Sequence, residues 1–387
     1  MSYKSLSAGM IPIVNVVSYS YKGGSGRSTA SVNLAFELAR QGKLVVCLDM
    51  DIGAPGLHMI ISEWDKGARD IIGKNGGKIG HQNFLNKQDP TKHDFEQLAP
   101  AMLHIREDTK ESYLSENVGN RTAGYTSKRS KEDENSKGEL LFLFSSTSDR
   151  TLNDLGGGAD GIRRFQDKYH ILQELLAQKL GGHAERPVYI IVDAPNGITP
   201  VSLPLLRSAD LILMFYRYSL QHVLGTIESG EKLYYYLSEE IRRRYMKILL
   251  VGSCVPEHLV STLIAYDEKR LIGYELDMVK RFKEVQRQLE TFRALFPNTV
   301  AYIGQGADYL NGAIIEDDIL KILEQPLTNA GVKPSFFSSN NVYEQHDSVK
   351  LSSVKTLEKI GNIAASIKLY GQEIALRKKL QYGIRKK

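Results

Sequence analysis

The sequence is poor in cysteine and tryptophan and has no long apolar run. Only two Cys and one Trp occur among its 387 residues. Cys47 and Cys254 both lie inside apolar, strand-like segments, which predicts reduced core residues and argues against a disulfide framework. No segment approaches the roughly 18 uncharged apolar residues that a membrane-spanning helix needs. The N-terminal residues also lack the pattern of a secretory signal, so we expect a cytoplasmic protein.

The signatures of several enzyme classes are missing as well. The nine histidines are scattered, and no H-E-x-x-H, C-x-x-C or G-x-S-x-G motif occurs. These absences argue against metallohydrolase and serine hydrolase chemistry. Hydrophobic residues at 42% and charged residues at 25% are typical of a folded globular chain rather than a disordered one.

The formal net charge of +5 is concentrated near the C-terminal end. Residues 366–387 hold seven basic residues and one acidic residue, so the rest of the chain is close to neutral. Four apolar residues of this segment recur at near-helical spacing: Leu369, Leu376, Leu380 and Ile384. The pattern allows a membrane-surface helix or an arm for DNA or a protein partner. Because the segment lacks Trp and Phe and contains Gly371 and Gly383, a solvated, frayed tail is the favoured interpretation, and membrane binding is disfavoured.

Seven short apolar runs alternate with helix-length amphipathic stretches. The runs are Ile13–Ser18, Leu44–Asp49, Leu140–Ser145, Val188–Asp193, Leu211–Tyr216, Ile248–Ser253 and Val300–Ile303. The helical patterns between them are Ser28–Gln41, Ile162–Leu180, Leu220–Arg244 and Glu275–Leu295. Several runs are apolar at successive positions, which indicates strands buried on both faces of a parallel sheet. We therefore predict an α/β fold with a doubly wound, mainly parallel sheet flanked by helices, and ligand sites at the carboxyl ends of its strands.

Two regions interrupt this alternation. Residues 65–138 show no clear strand pattern, and 14 of the 35 residues from His104 to Gly138 are charged, which predicts a mobile surface insertion. Residues 329–347 are polar and rich in Ser and Asn, as expected of a linker. The predicted organisation is a domain over residues 1–328 that carries the insertion at 65–138, then the linker, then a C-terminal helix with a basic tail over 348–387.

A glycine-rich loop follows the first apolar run and leads into a helical pattern. Its sequence is Lys22-Gly23-Gly24-Ser25-Gly26-Arg27-Ser28-Thr29. Such loops turn backbone N–H groups towards phosphate oxygens, and the helix N-terminus adds to the attraction. The hydroxyl of Ser28 is placed to ligate Mg²⁺. The loop departs from the pattern G-x-x-x-x-G-K-[ST], because Tyr21 stands at the first Gly position and Arg27 at the Lys position.

Carboxylates follow two of the apolar runs. The second run ends with Asp49, Asp51 comes two residues later, and the fourth run ends with Asp193. Acidic side chains at buried strand ends are costly unless a cation or hydrogen bonds offset their charge. A shared Mg²⁺ explains them together. For Asp193 taken alone, a turn-capping role is an equal alternative.

As a set, these segments resemble the ParA/MinD family of deviant Walker ATPases, in the SIMIBI class of P-loop proteins. The resemblance rests on KGGSGRS, on LDMDIGAPGL and on DAPNGITPVSLPLLRSADLILMFYRYSLQHVLGT, and it extends over roughly residues 12–325. Arg27 resembles a variant branch whose loop reads KGGxGR. The family's fold agrees with the α/β sheet predicted from the alternation of runs.

The resemblance implies ATP and Mg²⁺ as ligands and gives each motif residue a role. The implied nucleotide-binding residues are Lys22, Gly23, Gly24, Ser25, Gly26, Arg27, Ser28 and Thr29. Ser28 and Asp193 would hold Mg²⁺, supported by Asp49, while Asp51 would position the attacking water. Lys22 resembles the family's signature lysine, which reaches the nucleotide of a partner subunit. Asp51, Lys22 and Arg27 are thus the implied catalytic residues of a reaction that depends on charge neutralisation and alignment.

The implied function is that of a weakly hydrolysing ATPase that forms a homodimer around ATP. We expect it to act with an unidentified protein partner in a multi-component bacterial system, such as a defence or partition-like system. Two alternatives stay open: a SIMIBI-type small-molecule kinase or ligase, and a non-hydrolysing, nucleotide-bound scaffold. Arg27 motivates the second, because arginine and lysine are not interchangeable. Ser253 and residues 303–308 follow the last two strands, where base recognition is expected.

The resemblance also allows non-specific DNA binding through basic surfaces. The candidates are residues 242–244 with Lys247, and the helix that carries Lys280, Arg281, Lys283 and Arg287. Acidic residues are interspersed at both places, including Glu239 and Glu284. We therefore favour a solvated surface of mixed charge over a DNA-binding surface.

Overall fold

The computed structural model describes residues 11–64, 77–106, 138–148, 151–156, 158–181, 186–217, 219–237, 246–253, 274–296, 300–302 and 350–385. Within these residues, eight strands form one sheet: β1 Ile13–Ser20, β2 Leu44–Asp49, β3 Met102–Arg106, β4 Glu139–Leu143, β5 Val188–Asp193, β6 Leu211–Arg217, β7 Lys247–Ser253 and β8 Val300–Tyr302. Their order across the sheet is β3-β4-β2-β5-β1-β6-β7-β8. Neighbouring strands are parallel, except for the antiparallel pair β3–β4. The predicted α/β fold with a doubly wound, mainly parallel sheet is confirmed.

Helices cover both faces of this sheet. Those in the described residues are α1 Arg27–Arg40, α2 Leu57–Trp64, α3 Gln82–Leu85, α4 Lys92–Glu96, α5 Gly158–Gly181, α6 Ser202–Ser208, α7 Leu220–Tyr236, α8 Tyr274–Leu295 and α9 Lys350–Arg385. Two 3₁₀ turns lie at Ala99–Ala101 and Asn153–Gly156. In the part of the chain described here, no helix combines the length and the apolar character that crossing a bilayer requires.

The central strands are apolar at successive positions because both of their faces are buried. Along β5, Val188 and Ile190 point into the core that α5–α8 cover, and Tyr189 and Ile191 point into the core beneath α1, α2 and α9. Cys47 on β2 belongs to the second core and is a fully buried free thiol, as predicted. Cys254 lies outside the described residues. All seven predicted apolar runs coincide with strands.

Residues 65–138, which show no clear strand pattern in the sequence, contain a strand in the structure. Met102–Arg106 forms β3, an edge strand whose register runs antiparallel to β4. Ahead of it, α3 and α4 bury Phe84 and Phe95 edge to face in the core, with ring centroids 6.4 Å apart. The antiparallel pairing explains the weak sequence signal, because an edge strand can alternate apolar and polar residues. Residues 107–137 of the predicted mobile insertion lie outside the described residues.

The long C-terminal helix is confirmed, but the prediction of a solvated, frayed tail is wrong for its described part. One side of α9 is buried in the second core, through Ile360, Ile363, Ala364, Ile367, Ile374 and Ala375. Lys378 donates hydrogen bonds from Nζ to the Ile13 carbonyl and to Asp210 Oδ2, both at 2.7 Å. Gly371 lies against the Tyr189 ring, where a Cβ would come within 2.5 Å of Cε1. This glycine therefore serves a close helix–sheet contact. Residues 329–347 lie outside the described residues, and the domain boundaries stay a prediction.

Candidate functional site

The glycine-rich loop lies at the carboxyl edge of the sheet, between the end of β1 and the start of α1. Gly24 and Gly26 have φ angles of +74° and +66°, in the left-handed region that favours glycine, and Gly26 caps α1. The first turn of α1 holds no acidic residue and includes the half-buried Ser28 and Thr29. The loop thus presents backbone N–H groups and a helix N-terminus, which together suit a phosphate group.

Strand register brings the predicted carboxylates together beside this loop. Asp49 and Asp193 are register partners on the parallel strands β2 and β5, and Ser18 of β1 is paired with Asp193 on the other side. Asp49 and Asp193 are fully buried, and Asp51 is 8% exposed. Three acidic side chains therefore meet at one edge, next to the N-terminus of α1.

The guanidinium of Arg27 joins these elements. Nε donates to Asp193 Oδ1 at 2.5 Å, and Nη2 donates to Asp51 Oδ2 at 2.8 Å. Nη1 donates to Asn196 Oδ1 at 2.7 Å and to Ser20 Oγ at 3.3 Å. Arg27 itself is only 5% exposed. Its N–H donors are directed to protein acceptors at the carboxyl ends of β1, β2 and β5. We call Arg27, Ser20, Asp51, Asp193 and Asn196 the Arg27 cluster.

The pKa values of the charged residues in the site depend on one another. Burial alone would lower the pKa of Arg27, but the attraction of Asp193 and then of Asp51 outweighs it, so the pKa is raised. Burial raises the pKa of Asp51, although the charge of Arg27 opposes this. Burial, followed by the charge of Asp193, holds the pKa of Asp49 well above its usual range. With one guanidinium among three carboxyl groups, the edge favours a further cation.

Asp49 shapes the turn that follows β2. Its Oδ1 accepts the Asp51 amide, and its Oδ2 accepts the amides of Gly56 and Leu57 at the start of α2, each at 3.2 Å. The Asp49 carbonyl also contacts Nε2 of the buried His81. Both carboxylate oxygens are thus engaged with backbone N–H groups. The role of Asp49 in supporting a metal stays a prediction.

Asp193 has one carboxylate oxygen left for a further ligand. Its Oδ2 is buried and has no hydrogen-bond partner among the described residues. Within those residues, no three His, Cys, Asp or Glu side chains form a metal-binding group by themselves. Mg²⁺ in nucleotide sites usually takes one or two protein oxygens and completes its shell with phosphates and water. Asp193 at the end of β5 and Ser28 in the first turn of α1 could supply such oxygens.

Lys22 is linked to the Arg27 cluster through its backbone, while its side chain extends over Tyr21. Its Nζ lies 5.6 Å from the centroid of the Tyr21 ring, and its carbonyl accepts a hydrogen bond from Ser20 Oγ at 3.0 Å. The structure therefore brings together Arg27, Asp51 and Asp193 of the predicted catalytic and metal residues and places the Lys22 ammonium over Tyr21.

Several residues of the site were not singled out from the sequence. Asn196 lies three residues after Asp193, in the same DAPNG segment. Its Oδ1 accepts hydrogen bonds from Ser20 Oγ and Arg27 Nη1. Arg217 ends β6 and approaches Gly24. The rule that ligand sites gather at carboxyl strand ends could have identified both residues.

The predicted base-recognition and DNA-binding residues are only partly described. Ser253 is fully buried and donates from Oγ to the Tyr216 carbonyl at 3.2 Å. On α8, Arg287 and Arg293 pair with Glu284 and Glu290 at 2.8 and 3.2 Å, as a surface of mixed charge requires. Residues 303–308 and 242–244 lie outside the described residues.

Comparison with known proteins shows the family and the fold of the chain. A family model described as the CobQ/CobB/MinD/ParA nucleotide binding domain matches residues 16–380. Over 51 residues the chain is 45% identical to the septum site-determining protein MinD of Helicobacter pylori; the aligned segment is 13% of this chain and 19% of that protein.

Solved structures of similar fold include pNOB8 ParA, with a TM-score of 0.52 and 14% identity over 93% of this chain and 99% of that one. A structure of pNOB8 ParA bound to nonspecific DNA gives a TM-score of 0.50 and 13% identity over the same shares. At such identities the likeness concerns the fold.

Proposed function

The chain belongs to the CobQ/CobB/MinD/ParA nucleotide-binding family, and from this premise we propose that it is a slow, Mg²⁺-dependent ATPase that dimerises around ATP. The observation that carries the proposal is the Arg27 cluster beside the glycine-rich loop. Arg27 is paired there with Asp51 at 2.8 Å and with Asp193 at 2.5 Å. A phosphate-binding loop and acidic side chains at the same strand ends are the two parts that phosphoryl transfer needs.

The residues divide the work as follows. The amides from Gly23 to Gly26 and the N-terminus of α1 bind the phosphates. Asp193 and Ser28 hold Mg²⁺, which when bound neutralises phosphate charge. Asp51 orients the water that attacks the terminal phosphate, because its carboxylate can accept a hydrogen bond from that water. Arg27 keeps Asp51 and Asp193 in place.

Lys22 acts between subunits. Its ammonium lies over the Tyr21 ring and takes no part in the ion pairs that Arg27 makes with Asp51 and Asp193. A cation so placed would neutralise the phosphates of a nucleotide bound by the second copy. Nucleotide binding and dimerisation would then depend on each other, and a protein partner would act on the dimer.

Solution mass measured by light scattering tests this proposal directly. The monomer mass is 43.4 kDa, and we expect it to double with Mg-ATP but not with ADP or without nucleotide. Lys22→Ala should stay monomeric, and Asp51→Ala should prolong the dimer because hydrolysis is slowed. If ATP binds but the mass does not respond to nucleotide, the dimerising switch is wrong.

The scaffold alternative is supported by the same ion pairs. Because Asp51 Oδ2 is bound to Arg27, the ion pair competes with the attacking water for this carboxylate, and the site could retain ATP without hydrolysing it. Phosphate release from purified wild type, compared with Asp51→Ala, separates the two. Equal phosphate release by the two proteins, together with tightly retained ATP, would favour the scaffold. A rate of phosphate release at least tenfold lower in Asp51→Ala would favour the ATPase.

DNA binding is tested in the same preparations. One solved relative in fold, pNOB8 ParA, is bound to nonspecific DNA. Binding to unrelated duplexes that appears only with Mg-ATP and weakens steeply with salt would extend that property to this chain. The paired charges on α8 predict weak binding at most.

A further inference from the structure

Arg217 brings a second guanidinium to the glycine-rich loop. It is the last residue of β6, which runs parallel to β1, so both strands end at the same edge. Its Nη1 lies 3.9 Å from the position that a Cβ on Gly24 would occupy. Gly24 is exposed at the loop, and Arg217 is half-buried. The guanidinium is thus in contact range of the loop backbone where phosphates would bind.

Arg27 is committed to the protein. Its Nε and Nη2 bind Asp193 and Asp51, and its Nη1 binds Asn196 and Ser20. Moving it to a phosphate would leave buried carboxylates without their counter-charge, which is strongly unfavourable. The usual cation of a P-loop is therefore occupied in this chain, so a basic side chain that reaches the phosphates from the same subunit has to come from another position.

We propose that Arg217 is this group: it binds the phosphate chain of the nucleotide, while Arg27 is a positioning residue for Asp51 and Asp193. The proposal rests on the proposed function, since it assumes that ATP binds at the loop. A planar guanidinium suits the task, because it donates two parallel hydrogen bonds to phosphate oxygens.

The charges around the loop support the assignment. Burial lowers the pKa of His222 in the first turn of α7, and the positive charges of Arg217 and then Lys22 lower it further. Both cations therefore lie close enough to the first turn of α7 to act on His222. Gly225 of α7 lies against Tyr21, so α7 and the loop are in direct contact there.

Titration calorimetry with two probes tests the proposal: Mg-ATP, and inorganic tripolyphosphate with Mg²⁺, which has the phosphate chain without the base. Arg217→Gln should raise the Kd for both probes by the same factor, at least tenfold. Arg217→Lys should recover part of the loss. Arg163→Gln is the matched control, because it removes the same charge from an exposed position on α5 and should change neither Kd.

The outcomes separate the two levels of inference. If the wild-type protein binds ATP and Arg217→Gln has the same Kd values, the role of Arg217 is overturned and the proposed function still stands. A loss for ATP without a loss for tripolyphosphate would also overturn it, because the residue would then act through the base or the fold. A wild-type protein that binds neither probe would overturn the proposed function, and this inference with it. Thermal melts without nucleotide verify that each variant is folded.

Discussion

At the residue scale, Arg27 shows why an arginine can replace the lysine of the common loop pattern. One planar guanidinium reaches Ser20 after β1, Asp51 after β2, and Asp193 and Asn196 after β5. A lysine ammonium has three donors on a flexible stem and could not hold these acceptors in one plane. The arginine at this position therefore links the carboxyl ends of β1, β2 and β5 through hydrogen bonds.

Replacing Arg27 by Met should destabilise the fold. The variant leaves Asp51 and Asp193 buried without their counter-charge, and such losses cost about 3–5 kcal/mol. We expect this decrease in the free energy of unfolding in urea at neutral pH. Mg²⁺ without nucleotide should restore part of it, because the two unpaired carboxylates then become a cation site.

The control for this prediction is Arg163→Met on the exposed face of α5. It should change the free energy of unfolding by less than about 0.5 kcal/mol and show no response to Mg²⁺. An Arg27→Met protein as stable as wild type would show that the ion pairs contribute nothing net to the fold.

At the scale of elements, burial decides which strands the sequence reveals. β1, β2 and β5 are covered on both faces, so their continuous apolar runs stand out. β3 is different: its sequence MLHIR is short and includes His104 and Arg106, and it is held by antiparallel pairing to a partner 33 or more residues later in the chain. A short edge strand of this kind depends on tertiary pairing that local sequence does not encode.

The residues of the candidate site also differ in how far the sequence could predict them. Asp51 and Asp193 could be predicted, because carboxylates at the ends of buried strands have few purely structural explanations. The partners of Arg27 could not, since they depend on which rotamer its side chain adopts among several elements. Nor could the position of Lys22 over Tyr21 be read from the loop motif.

Two glycines of α9 allow a test of how closely this helix packs on the sheet. An Ala at Gly371 would place Cβ 2.5 Å from Tyr189 Cε1, whereas Gly361 has no atom within 4 Å of that position. Gly371→Ala should therefore cost about 1–3 kcal/mol through overpacking. Gly361→Ala should gain up to about 1 kcal/mol from helix propensity.

Urea unfolding of the two variants decides the point. Opposite signs are expected from the same substitution, so a general effect of alanine cannot produce the result. Equal stabilisation of both variants would mean that α9 does not pack closely on Tyr189.

Another contact between elements joins α5 to the 3₁₀ turn at Asn153–Gly156. Lys168, whose side chain is 8% exposed, donates to Asp154 Oδ2 at 2.6 Å and to the Leu85 carbonyl at 3.3 Å. Lys168→Met should cost about 1–3 kcal/mol, because a buried carbonyl and a carboxylate lose their donor. Lys179→Met, exposed on the same helix, is the control and should be neutral.

The effect of Lys168→Met should also depend on pH. Burial raises the pKa of Asp154, but Lys168 and Arg164 outweigh it, and the pKa is lowered overall. The ion pair therefore contributes fully above the unfolded pKa of about 4 and is lost as the pH falls through the lower folded pKa. The difference from wild type should shrink below about pH 4; a constant difference would assign it to packing alone.

At the scale of the whole molecule, exposed apolar side chains lie on the elements that flank the glycine-rich loop. Leu220 and Leu224 on the first turns of α7 are 47% and 46% exposed, and Met59 on α2 is 64% exposed. Contact between Gly225 and Tyr21 places this end of α7 beside the loop. If two copies meet across the nucleotide, these side chains are the apolar surface available for burial there.

Leu224→Glu should therefore prevent the ATP-dependent dimer without impairing the fold. Burying a carboxylate at an apolar contact is unfavourable unless it is paired, so the mass with Mg-ATP should stay near 43.4 kDa. Leu369→Glu on α9 is the matched control, because that leucine is 54% exposed and lies on a helix that covers the sheet away from α7. A dimer lost in both variants would reflect general charge repulsion, and a dimer kept in Leu224→Glu would place the interface on another surface.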